Sequence, residues 1–129
     1  MGRIFNVIVA ASLVMWGGIA TTPAAAGELY GLIGKINTIP GQRDAFIELL
    51  LQGVNDMPGC LNYVVAKDMV DPNAIWVTEV WDSKASHDAS LSLPAVREAI
   101  SKGRAFIASM GDGAVTIPVG GFGLPAAAR

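Results

Sequence analysis

The sequence predicts an α+β fold with four antiparallel strands and helices laid across one face of the sheet. Three features point there. Residues 57–82 read as a β-hairpin, stretches with helical periodicity lie on either side of it, and a further short apolar run lies beyond each of those stretches. The resulting order, β-α-β-β-α-β, is ferredoxin-like, which places both helical segments on the same face of the sheet.

The first strand is expected over Leu29 to Asn37, with Leu32, Ile33 and Ile36 as its apolar content and Gly31 and Gly34 as points of close approach. Pro40-Gly41 ends it. A helix follows from near Gln42 to just before Pro58, because Phe46, Leu49, Leu50 and Val54 recur on one helical face. Pro58-Gly59 stops that helix, proline lacking a donor and glycine tolerating a sharp reversal. The hairpin strands are read as Cys60 to Val70 and Ala74 to Trp81. Between them Asp71-Pro72-Asn73 forms the turn, where side-chain oxygens bond to nearby backbone. Asp82 or Ser83 caps a short helix through Leu91, and Pro94 opens a second one carrying Val96, Ile100 and Ile107 on one face. Gly111-Asp112-Gly113 is expected to end it, Ala114 to Val119 to form the last strand, and residues 120–129 to be an irregular tail. In the third strand Ile75, Val77 and Trp81 point one way and Trp76 and Val80 the other. Neither face is polar enough to be left wet, so a homodimer through the uncovered face is expected.

The chain has 129 residues, enough for one domain. Arg3, the apolar run Ile4 to Ala20 and the small residues Ala24-Ala25-Ala26 read as a signal peptide over residues 1–26, the alternative being an uncleaved membrane anchor. Cleavage leaves a domain of residues 27–119 plus the tail, secreted or periplasmic, with no membrane contact of its own. Loss of Arg3 moves the formal charge from −2 to −3. No basic stripe is present, which argues against nucleic acid as a partner. Cys60 is the single cysteine, so an internal disulfide is excluded and a multi-cysteine zinc site with it. With no Lys, Arg or His beside it, Cys60 reads as a buried, inert thiol rather than a reactive one.

Several segments, in this order and spacing, resemble the antibiotic biosynthesis monooxygenase family: Pro40-Gly41 with Phe46, Pro58-Gly59-Cys60-Leu61 with Tyr63, Asp71-Pro72-Asn73, and Glu79-Val80-Trp81-Asp82. The resemblance covers about residues 29 to 119. It implies a dimeric α+β barrel, two ferredoxin-like sheets packed back to back. The family includes enzymes that oxidise quinols and aromatic phenols with O2 without metal or flavin, relatives that degrade haem, and members with no known activity, so membership bears on fold more than on reaction.

His87, the sole histidine, is the natural base for a phenolic proton, because histidine is the side-chain type whose unperturbed pKa lies near neutrality. Many family members carry a histidine one turn later, where this chain has Ser90. The competing reading of His87 is a helix histidine without a task. Glu79, on the face of Val77 and Trp81, either shuttles a proton or pairs with a cation. Tyr63, Trp76 and Trp81 line a flat pocket for a ring or belong to the core. Asn62 holds a phenolate or dioxygen-derived oxygen, or caps a strand edge. The haem-degrading relatives use an Asn early in the first strand, a Trp in the helix after the third strand and a His further along as the iron ligand. Here the first strand has no Asn before Asn37, and Ser90 and Ile100 occupy the other two places, which disfavours haem chemistry. No cofactor is expected: the chain has no glycine-rich dinucleotide loop, no histidine pair at metal spacing and no nucleophilic triad.

The function expected is therefore cofactor-independent oxidation of a small quinol or phenol by an exported homodimer, with His87 and Asn62 catalytic and Tyr63, Trp76, Glu79 and Trp81 binding substrate. The alternatives are a dimeric module that binds a small aromatic ligand without turnover, and a purely structural dimer with a filled core.

Overall fold

The computed structural model describes residues 28–125, so the expected leader and the last four residues of the tail lie outside the described residues. In chain order the elements are β1 (Tyr30–Thr38), α1 (Arg43–Gln52), β2 (Cys60–Lys67), β3 (Ala74–Trp81), α2 (Lys84–Ser90), α3 (Pro94–Gly103), a 3-10 turn (Arg104–Phe106) and β4 (Ile107–Thr116). The strands form one sheet in the order β2-β3-β1-β4, every neighbouring pair antiparallel. The expected α+β, ferredoxin-like architecture is the one observed.

β1 lies between two partners and alternates accordingly. Leu32 and Ile36 are buried beneath the helices, while Ile33 and Lys35 point outward. A side chain at Gly31 would collide with Thr116 and Pro118, so glycine lets the end of β4 close against β1. Phe46 of α1 packs on Ile36, Ile75 and Val77, and its ring stacks on Phe106 with centroids 6.0 Å apart. Ser83 caps α2 by accepting from Ser86 N at 3.1 Å, and Pro94 opens α3.

The hairpin connection is longer than its residues predict, spanning residues 68–73 where only Asp71-Pro72-Asn73 was expected. β2 stops at Lys67 because Asp68 begins the turn, its Oδ1 accepting from the backbone N–H of Asp71 at 2.8 Å and of Val70 at 2.9 Å. Its Oδ2 accepts from Trp76 Nε1 at 2.8 Å and faces Lys35 Nζ at 3.2 Å. The Asp71 backbone N–H, the Trp76 indole, the Val70 N–H and Lys35 together hold the Asp68 carboxyl well below the usual carboxylate range. Asp71 and Asn73 bond to backbone as expected, Asp71 Oδ1 accepting from Asn73 N and Asn73 Oδ1 from Gly41 N.

Two expected boundaries are corrected. α1 ends at Gln52, several residues before Pro58, with Gly53 at its C-cap donating back to Leu50 O. Glycine's low helix propensity ends the helix before proline can. The second correction is larger. α3 ends at Gly103, Ile107 belongs to β4 and not to the helix, and Gly111-Asp112-Gly113 lies inside β4, which ends at Thr116. Gly103 is buried, and a side chain there would meet the Phe46 ring at 3.0 Å, so the chain turns hard against α1. The later glycines mark a bulge, where the β1 register skips between Gly34↔Gly113 and Ile36↔Met110 and Gly111 lies against the Lys35 side chain.

Phe46→Ala removes the ring on which α1, β1 and β3 all pack. It is expected to cost about 3–5 kcal/mol, read as a lower denaturant midpoint with an unchanged slope.

Candidate functional site

A cavity of about 160 Å³ lies between the sheet and the helices. Its floor is the inward face of the central strands: Leu32 and Ile36 from β1, Val77, Glu79 and Trp81 from β3, and Tyr63 from β2. Phe46, Leu50, His87, Val96 and Ile100 from the helices form its roof, and Ile107 and Met110 of β4 lie along its far side.

Its polar groups gather around one indole. Trp81 is fully buried, and its Nε1 donates to Glu79 Oε2 at 2.8 Å. The edge of the same ring system meets the His87 imidazole, centroids 5.5 Å apart at 83°. Tyr30 lies against His87 from β1 at 5.2 Å. Burial pushes the Glu79 carboxyl above its usual value, the Trp81 N–H and His87 opposing that shift only in part. Burial likewise pushes up the Tyr63 phenol, which pairs with Glu79 across β2 and β3.

His87 is buried, with its Nδ1 3.2 Å from Asp88 Oδ1. Asp88 in turn accepts from Lys84 Nζ at 2.6 Å, so it is held as a carboxylate that can only accept. Nδ1 is then the donor, and a neutral imidazole keeps its lone pair on Nε2. The ring is oriented from behind by a carboxylate, as a general base requires. Ser90 Oγ donates to His87 O at 2.6 Å, fixing the last turn of α2.

His87, Tyr63, Glu79 and Trp81 thus converge on the cavity, and two other sequence candidates do not. Asn62 is exposed and Trp76 half-buried, both on the outward face of the sheet, so their assignment to the pocket is corrected. The period of two that brings Tyr63 and Glu79 inward sends their strand neighbours outward. Trp76 instead lies under Lys35, with its N–H on Asp68. Ser90, which lines the cavity, and Tyr30, which packs on the His87 ring, were not among the sequence candidates for the site. Tyr30 lies at the start of a strand, and its opposition to Trp81 is set by register, which only the strand order reveals. Cys60, half-buried with its thiol pushed up by burial, fits the inert reading. Among the described residues no group of three or more His, Cys, Asp and Glu side chains is placed to hold a metal ion.

The family profile for antibiotic biosynthesis monooxygenase matches residues 29–102. The chain belongs to the antibiotic biosynthesis monooxygenase family. Among solved structures, a Chloroflexus aurantiacus protein named for this family is 60% identical, covering 72% of this chain and 95% of that one with a TM-score of 0.71. A Pseudomonas aeruginosa protein (18% identity, TM-score 0.64, 75% of this chain and 100% of that one) has the same fold. So does a Caulobacter crescentus protein also named for the family (15%, 0.62, 72% and 90%). No curated protein sequence matches. In this antibiotic biosynthesis monooxygenase relative, none of the described helices is long and apolar enough to cross a membrane.

A raised folded-state pKa at Glu79 means that the fold favours the protonated acid. Its stabilising contribution is complete below the unfolded carboxyl's pKa and is lost as pH rises through the folded value. Glu79→Gln keeps an acceptor for Trp81 and removes the charge. It is expected to raise Tm relative to the parent at pH 8, with the gap closing near pH 4, measured by thermal unfolding across pH.

Proposed function

We propose that this protein is an exported, homodimeric, cofactor-independent monooxygenase that oxidises a small quinol or phenol with O2. The observation that carries the reading is the orientation of His87, whose ring lines a mostly apolar cavity beside Glu79 and Tyr63 while Asp88 lies at Nδ1. In this reading Nε2 takes the phenolic proton. The phenolate passes one electron to O2, the two radicals combine at a ring carbon, and loss of water leaves a quinone. One oxygen atom enters the ring and the other leaves as water, and the substrate supplies all four electrons, so no external reductant is consumed. The apolar walls keep bulk water from the radical pair. Burial biases Glu79 toward the acid, and in that form it donates to a substrate oxygen.

Support for the homodimer comes from the outward face of the sheet, where Ile33 and Val64 are exposed and Trp76 and Val80 half-buried. Val64→Glu is expected to convert the dimer to monomer in sedimentation velocity without altering the cavity lining. Support for export is the leader pattern of residues 1–26, tested by the N-terminal mass of the protein recovered from its native host.

His87→Ala is expected to lower O2 uptake with a reactive quinol by roughly 10²–10⁴-fold while leaving ligand binding within a few-fold. Uptake unchanged by the substitution would remove His87 as the base. Thermal stabilisation by ligand with no uptake by the parent protein would favour the non-catalytic binding module.

A further inference from the structure

We infer that the cavity takes a single six-membered ring: the substrate is a monocyclic phenol or quinol with an apolar substituent, not a fused polycyclic one. The inference rests on the proposed phenol chemistry for the oxygen end and on geometry for the rest.

Volume sets the first limit. An apolar protein cavity of about 150 Å³ holds one benzene molecule, and the chamber here is about 160 Å³. A second fused ring would require the lining to move. That lining is the folding core, since Ile36, Phe46 and Val77 form the main buried cluster of the domain as well as walls of the chamber. Close-packed cores resist such displacement, and overpacking one is destabilising.

Polarity sets the orientation. Along the inward face of β3, successive side chains lie two residues, or about 7 Å, apart. Glu79 and Trp81 lie at one end of this row with Tyr63 and His87 beside them, whereas Ile75 and Val77 lie at the other end with Ile36, Phe46 and Met110. A ring over the step from Val77 to Glu79 meets donors and acceptors on one edge and hydrocarbon on the other. An oxygen substituent at the hydrocarbon end would give up its hydrogen bonds to water without replacement, which weakens binding. The ligand that fits carries its hydroxyl at the Glu79 and His87 end and a short alkyl group at the other.

Titration calorimetry of the protein with 3-methylphenol, 1-naphthol and anthrone separates one, two and three rings without reliance on turnover. Affinity is expected to fall with each added ring, anthrone binding about tenfold or more weaker than 3-methylphenol. Leu50→Ala, which enlarges the roof, is expected to narrow the deficit of 1-naphthol. The ring series on the unmodified protein carries the test whether or not that variant folds. Equal or tighter binding of anthrone, or binding of none of the three, would overturn the size limit. Binding of 3-methylphenol without O2 uptake supports the size limit while removing the oxidation chemistry, and efficient uptake with anthrone does the reverse.

Discussion

The site depends on one hydrogen bond beneath the helices, from the Trp81 indole to the Glu79 carboxyl group. Strand periodicity leaves the chain little choice about Glu79. If Ile75, Val77 and Trp81 face the core, Glu79 faces it too. A carboxyl so placed loses hydration that no cation on the strand returns, and the structure answers with one indole N–H and a raised pKa. Trp81 then serves twice, because the ring that holds Glu79 also packs edge-on against His87. The acid and the imidazole are therefore positioned by the same buried side chain, and their relative placement is as rigid as the core that encloses it.

His87 is tied down from the other side. Its partner Asp88 is shared with Lys84 one turn earlier on the short helix α2, and Ser90 closes the turn after it. The imidazole tautomer is thus decided at the solvent-facing edge of α2, while the ring itself lies in the interior. Such a division suits proton transfer: a carboxylate outside the apolar chamber can stabilise an imidazolium without placing its own charge beside the substrate.

The sheet and its order were legible in the sequence because alternation and turn chemistry are local signals. Pro58-Gly59, Asp71-Pro72-Asn73 and the β-branched runs between them mark the hairpin within a few residues. The glycines of β4 were misleading for a physical reason. Gly111 and Gly113 read equally well as a helix stop or a bulge, and only the crowding of Lys35 on the neighbouring strand selects the bulge. The end of α3 was hidden the same way, since Gly103 is required by the Phe46 ring, far away in sequence. For the site, period two was sufficient to group Glu79 with Trp81. Applied to Trp76 and Asn62 it also sends both outward, so their aromatic and amide chemistry gave no measure of their position. Tyr30 was beyond reach of any local pattern, because its meeting with His87 depends on β1 lying beside β3.

That same alternation separates two tasks that compete for the hairpin. Inward residues of β2 and β3 line the chamber, while outward ones carry the Lys35, Asp68 and Trp76 cluster and the exposed Val64. The residues that line the chamber come from the inward face of the strands and from the helices. A second copy meeting the outward face would lie across the sheet from them. Its influence would pass through the sheet backbone, by holding β2 and β3 in the register that sets Tyr63 opposite Glu79. A one-residue slip of β2 would turn Tyr63 outward and bring an outward-facing neighbour, Asn62 or Val64, into the chamber, exchanging its phenol wall for an amide or a β-branched side chain. A partner on the uncovered face would therefore act by fixing register, without any side chain of that face reaching the cavity.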